Sequence, residues 1–174
     1  MRTRVLASFA VATIAAVTAI AAQYTVAPPP ALHGQAAPAE TSRWKGEWAG
    51  NGFLYVAELT LNVRPDGALE GSILWKIETP GRPEEAAKVG IPATEFVRGR
   101  YLAEHGLLVF EGHAKDDPNL VIGLDRYRLL VANGGDALTG ITHSHGTWQG
   151  RFTASRVEGR LPPPPAPKGG SGEK

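Results

Sequence analysis

The sequence predicts an all-β fold, a single antiparallel up-and-down β-barrel of about eight strands. Three observations lead there. Apolar residues recur at every second position through the middle of the chain, the period of a strand with one buried face. Short glycine- and asparagine-rich turn signals separate those runs. Glycine also recurs inside the runs themselves, where it normally weakens a strand and therefore needs a structural reason.

Taken in chain order, residues Met1 to Arg4 carry two positive charges, Arg2 and Arg4, and an uncharged Ala-rich run follows from Val5 to Ala22. A short cationic stretch ahead of an apolar one is the pattern of an export signal, and Ala19-Ile20-Ala21 offers small residues for cleavage. An uncleaved anchor helix is the alternative reading of residues 1–22, since the run just reaches the length that spans a bilayer. Either way the remainder of the chain is expected outside the cytoplasm, periplasmic or extracellular. Contact with a membrane is expected only through this segment. Residues 23–43, with Pro28-Pro29-Pro30, read as an Ala/Pro-rich linker, and 158–174 as a Pro/Gly-rich disordered tail.

The span 44–157 holds all four tryptophans, with twelve Lys and Arg against fourteen Asp and Glu. Its alternation is clearest at Phe53, Tyr55, Ala57, Leu59, Leu61 and Val63; Pro65-Asp66-Gly67 then turns the chain into a strand from Leu69 to about Thr79. Pro80 to Ala93 is the one long loop, with a helical turn near Glu84 to Val89, and Lys115 to Leu120 is a shorter irregular stretch. Glu104-His105-Gly106, Asn133-Gly134-Gly135-Asp136 and Ser144-His145-Gly146 read as hairpin connections.

Six segments place a large residue two positions before a glycine: Trp44 before Gly46, Leu69 before Gly71, Val97 before Gly99, Phe110 before Gly112, Leu138 before Gly140 and Trp148 before Gly150. Strongly coiled strands need positions without a Cβ on their concave side, so this recurrence favours a closing sheet over the alternative, a two-sheet β-sandwich. Trp44-x-Gly46-x-Trp48, Asp66 to Gly71 and Phe96 to Tyr101 resemble the early strands of avidin-like barrels and, more broadly, of lipocalin-like ones. The resemblance implies a barrel with a ligand held inside it; it does not identify that ligand.

Function classes narrow further by exclusion. The chain has no cysteine, which removes disulfides, thiolate metal sites and cysteine nucleophiles. A net charge of +1 with no basic stripe argues against nucleic acid as a partner. No Gly-x-Ser-x-Gly elbow, His-Glu-x-x-His or P-loop is present, and no cofactor is implied. His143 and His145 form a His-x-His beside a turn, with His113, Asp116 and Asp117 elsewhere; they read as solvated residues rather than metal ligands.

Strand phase identifies the candidate interior. Glu95 follows the phase of Val97 and Tyr101, and Asp125 that of Tyr127 and Leu129. Tyr55, Trp75, Glu95, Tyr101, Asp125, Tyr127, Thr142 and Trp148 are therefore the candidate ligand-binding set, aromatic walls with a few polar groups. The expected function is an exported, non-catalytic barrel binding a small apolar or amphipathic molecule, or an envelope partner. One alternative is a small barrel hydrolase or isomerase using Glu95 or Asp125 in acid–base work. Another is an interaction module with a filled core, which would dock through an outer patch near Leu54, Val56 and Leu74.

Overall fold

A computed structural model describes residues 38–144 and 148–163 of the chain. Eight strands follow one another as β1 (Glu40–Gly50), β2 (Phe53–Val63), β3 (Ala68–Thr79), β4 (Pro92–Leu102), β5 (Leu107–Asp116), β6 (Asp125–Ala132), β7 (Ala137–Ser144) and β8 (Gln149–Gly159). Each pairs antiparallel with the next, and β1 pairs with β8, so the sheet closes into an up-and-down barrel. The sandwich alternative is thereby excluded. Closure also removes the free sheet edges, except along the far end of β5, where the β5–β6 ladder stops at Glu111.

The sheet is longer than the expected 44–157 span at both ends. β1 begins at Glu40 and β8 runs to Gly159 because the two strands complete each other, Ser42 facing Gly159 across the seam. Just past β8, Leu161 is partly buried against the core. The candidate signal or anchor at 1–22 and residues 164–174 lie outside the described residues, as does His145. The long loop carries a 3-10 segment over Pro83–Lys88, close to the helical turn the sequence suggests. Among the described residues no helix is long and apolar enough to cross a membrane.

All six mid-strand glycines fall in the inward phase, and they divide into two groups. At Gly46, Gly71, Gly99 and Gly140 a Cβ would strike backbone of the neighbouring strand, the carbonyls of Thr153, Thr60, Val109 and Arg128. These four let the sheet coil tightly enough to close. At Gly112 and Gly150 a Cβ would strike a side chain, Glu95 and Trp48 respectively. Those two serve the interior rather than the curvature.

The barrel is filled at one end and open at the other. Leu61, Val63, Leu69, Leu108, Leu129 and Leu138 are buried toward the end where β2 turns into β3, β4 into β5 and β6 into β7. Toward the opposite end the interior becomes aromatic, with Trp48, Phe53, Trp75 and Tyr127 in the same buried cluster. Strand alternation dictates that all these residues point inward.

Candidate functional site

The open end holds a cavity of about 380 Å³. Its walls are Trp48 of β1, Phe53 and Tyr55 of β2, Trp75 of β3, Glu95 of β4, and Asp125 and Tyr127 of β6. Trp148, just before β8, and two irregular segments complete the mouth, Arg82 and Glu85 from one and Leu120 to Gly123 from the other. The rings pack mainly edge-on. Tyr55 meets Trp48 at 5.6 Å and Trp75 at 6.0 Å between centroids, both nearly perpendicular. Such contacts stabilise beyond the area they bury and hold the walls in place.

Glu95 is the polar centre of this end, only 1% exposed. Its Oε2 accepts hydrogen bonds from the Tyr127 hydroxyl at 2.5 Å and from Trp75 Nε1 at 3.1 Å. Its Oε1 accepts from the Asp125 backbone N–H at 3.1 Å. No Lys or Arg among the described residues forms an ion pair with it; Lys115, its register partner on β5, instead binds Asp117 and the Ile122 carbonyl. Desolvation pushes the Glu95 carboxyl up to about 7, against the opposing pull of its three hydrogen-bond donors, and the nearby Asp125 adds to the rise.

Glycine explains how the side chain gets there. Glu95 sits on β4 but bonds to β6, two strands away, by lying over β5 where Gly112 offers no side chain. Trp48 does the same on the other side of the barrel. From β1 it lies over Gly150 of β8 and donates Nε1 to Thr142 Oγ1 of β7 at 2.6 Å. The Thr142 hydroxyl in turn donates to Asp125 Oδ2 at 3.2 Å. Both reaches therefore end on Asp125, one at its backbone and one at its side chain.

The mouth is built by loops that fasten themselves. Asp117 accepts the backbone N–H groups of Val121 (2.7 Å) and Ile122 (3.0 Å) and the Lys115 ammonium (3.0 Å). Burial alone would raise the Asp117 carboxyl, but those donors outweigh it and hold it below the usual carboxylate range. Tyr55 donates its hydroxyl to the Val121 carbonyl at 3.1 Å, tying β2 to the same loop. Its pKa is pushed up to about 12, first by burial and then by the negative charges of Glu85, Asp125 and Asp117. Lys88 links the two loops through the Leu120 carbonyl at 2.9 Å.

Of the eight residues that strand phase selected, Tyr55, Trp75, Glu95, Asp125, Tyr127 and Trp148 border the cavity. Thr142 is buried behind it, supporting Trp48 and Asp125. Tyr101 lies away from the cavity, at the plugged end, beside Val63, Gly67 and Ala103. Trp48 and Phe53 were legible as inward residues yet not chosen, and Arg82, Glu85 and Leu120 to Gly123 come from segments without periodicity.

His113 is exposed on the outer face, His143 is partly buried on β7, and no group of three or more His, Asp or Glu among the described residues is arranged to hold a metal ion. Val56 is exposed outside the barrel while Leu54 and Leu74 are half-buried. No protein-family model, curated protein or solved structure matches the chain. The architecture stands on its own as a closed eight-stranded antiparallel up-and-down barrel.

Proposed function

We propose that this is a ligand-binding barrel working outside the cytoplasm, taking one small amphipathic molecule into its open end. The observation that carries the reading is the pairing of an aromatic cavity with a single deeply buried carboxylate, Glu95, at its inner wall. A domain evolved only for packing fills its interior with apolar side chains, and a carboxylate buried without a cation is costly there. The avidin-like and lipocalin-like cast of the early strands supports a ligand inside the barrel, and the cationic and apolar opening of the chain supports export.

The test is intrinsic tryptophan fluorescence of the full chain titrated with 2-phenylethanol, a small neutral amphipathic probe. A saturable change, weakened by Trp75→Ala, is the expected result. A linear, unsaturable response to this probe and to its ammonium and carboxylate counterparts alike overturns the reading.

One observation favours a second reading. A carboxyl held near neutrality beside another acid is suited to proton transfer, the property expected of a small barrel hydrolase or isomerase. A bound molecule recovered chemically unchanged after long incubation would count against catalysis and for simple binding.

A further inference from the structure

The hydrogen-bond inventory of the cavity is one-sided. Both indole N–H groups at its inner wall are committed inside the protein, Trp48 to Thr142 and Trp75 to Glu95. The Tyr127 hydroxyl donates to Glu95, and the Tyr55 hydroxyl donates to the Val121 carbonyl. These four donors are thus spent on the protein's own acceptors. Glu95 accepts three hydrogen bonds, against the roughly four lone-pair sites a carboxylate offers. Acceptor capacity is what the wall has left to give.

Charge points the same way. The cavity is bordered by three carboxylates, Glu85, Glu95 and Asp125, and by one cation, Arg82; Glu85 is paired with Lys88 at 2.7 Å, so the charge of the inner wall rests on Glu95 and Asp125. The Arg82 guanidinium is already placed 5.1 Å from the centroid of the Trp148 ring, so at the rim an aromatic face is already in contact with a cation. Deeper in, the rings of Trp48, Phe53, Tyr55 and Trp75 surround the space, where burial first, and then the charges of Glu85, Asp125 and Asp117, oppose ionisation of Tyr55. An anionic ligand seated at the inner wall would meet the carboxylates of Glu95 and Asp125, while Arg82, the lining cation, stands at the rim against Trp148.

Given a ligand in the cavity, as proposed above, we infer that it is an organic ammonium: a protonated amine carried on an apolar body, its charge among the aromatic faces and near Glu95. The size of the cavity suits a compact molecule with one ring or a short chain rather than a lipid with long tails. An amine arriving with its proton supplies both missing partners at once, N–H donors for the carboxylate and positive charge for the rings.

The test compares three probes of nearly equal shape on the full chain at about pH 8.5, where Glu95 is mostly ionised. Phenethylammonium is expected to bind at least roughly tenfold tighter than 2-phenylethanol, with phenylacetate weakest. Equal affinity for the ammonium and the alcohol, or preference for phenylacetate, overturns the ammonium assignment while leaving a ligand-binding barrel. Failure of all three to bind overturns both.

Glu95→Gln is expected to shrink the ammonium preference to about twofold or less while the alcohol still binds. Should that variant not fold, a pH series on the wild type reads the same group. The groups around Glu95 are Asp125 and Tyr127 on β6, Tyr55 on β2, Lys115 on β5 held by Asp117, and Arg82 and Glu85 at the mouth. Ammonium affinity is expected to fall roughly tenfold between about pH 8.5 and pH 5.5, with alcohol affinity nearly flat. An ammonium affinity that does not change over that range overturns the assignment.

Discussion

Glu95 on β4 and Asp125 on β6 are joined by a 3.1 Å hydrogen bond that passes across the strand between them. The β5–β6 ladder covers only Leu107 to Glu111, and Asp125 lies just past its end. A side chain from two strands away thus satisfies a backbone donor that the sheet leaves over, and the acid cannot be altered without exposing the wall's own bonding.

The first consequence is a pH dependence of stability. The Glu95 carboxyl rises from an ordinary 4.5 to about 7 on folding, so the folded state holds its proton more tightly than the unfolded chain. The stabilisation is complete below about pH 4.5 and is lost as pH rises through 7, a swing on the order of 3 kcal/mol. Urea unfolding of the wild type and of Glu95→Gln, at about pH 5 and pH 8, should show the variant gaining on the wild type at the higher pH by about that amount. A difference between the two proteins that stays constant across pH would contradict it.

Gly112 and Glu95 should be energetically coupled. A Cβ at 112 would overlap the Glu95 carboxylate, so Gly112→Ala is expected to cost about 1–3 kcal/mol. In a Glu95→Ala background the same substitution should cost clearly less, because the obstructing atoms are gone. Gly140→Ala serves as the control. Its Cβ would meet the Arg128 carbonyl, and its cost should be the same in both backgrounds. Additive behaviour at Gly112 would show that it belongs with the curvature glycines.

Thr142 stands between Trp48 and Asp125 as acceptor to one and donor to the other. Thr142→Val keeps the shape and removes both bonds, stranding the buried Trp48 N–H at a cost of about 1–3 kcal/mol. Thr142→Ser should restore most of that loss. Chemical denaturation of the three proteins, followed by tryptophan emission, reads the comparison directly; a valine variant as stable as wild type would rule out the bridge.

Asp117 should act on the mouth rather than on the barrel. Asn can accept but carries no charge, so Asp117→Asn weakens the hold on Val121, Ile122 and Lys115 together. Faster hydrogen exchange is expected at the Val121 and Ile122 amides, with the strand amides unchanged. Because the Asp117 carboxyl is held below its usual range, its contribution is present at neutral pH and lost as pH falls through that lowered value. In sufficiently acid solution the two proteins should converge.

The alternation through Phe53 to Val63 and the six mid-strand glycines were enough to reach a closed barrel, because both follow from local geometry. The cavity was legible only in part. Strand phase reports which side a residue faces and says nothing of its height along the barrel axis. Tyr101 shares the phase of Glu95 but lies six residues along β4, about 20 Å at the rise of a strand, and so falls among the leucines of the plugged end. Arg82, Glu85 and Leu120 to Gly123 were hidden for a different reason. Their positions depend on Asp117, Lys88 and Tyr55 fastening the loops, contacts that no periodic pattern encodes. Gly112 and Gly150 were found but assigned to curvature, since sequence cannot distinguish room for a neighbour's backbone from room for a neighbour's side chain.

The seam between β1 and β8 brings Pro38 and Pro163 into one shared hollow, at the opposite pole from the cavity. Cargo fused ahead of Pro38 or behind Pro163 would depart from the barrel's floor and leave its entrance unobstructed. The same proximity suits circular permutation, with a short bridge from Pro163 to Pro38 replacing residues 1–37 and 164–174 and a cut made in a distant hairpin.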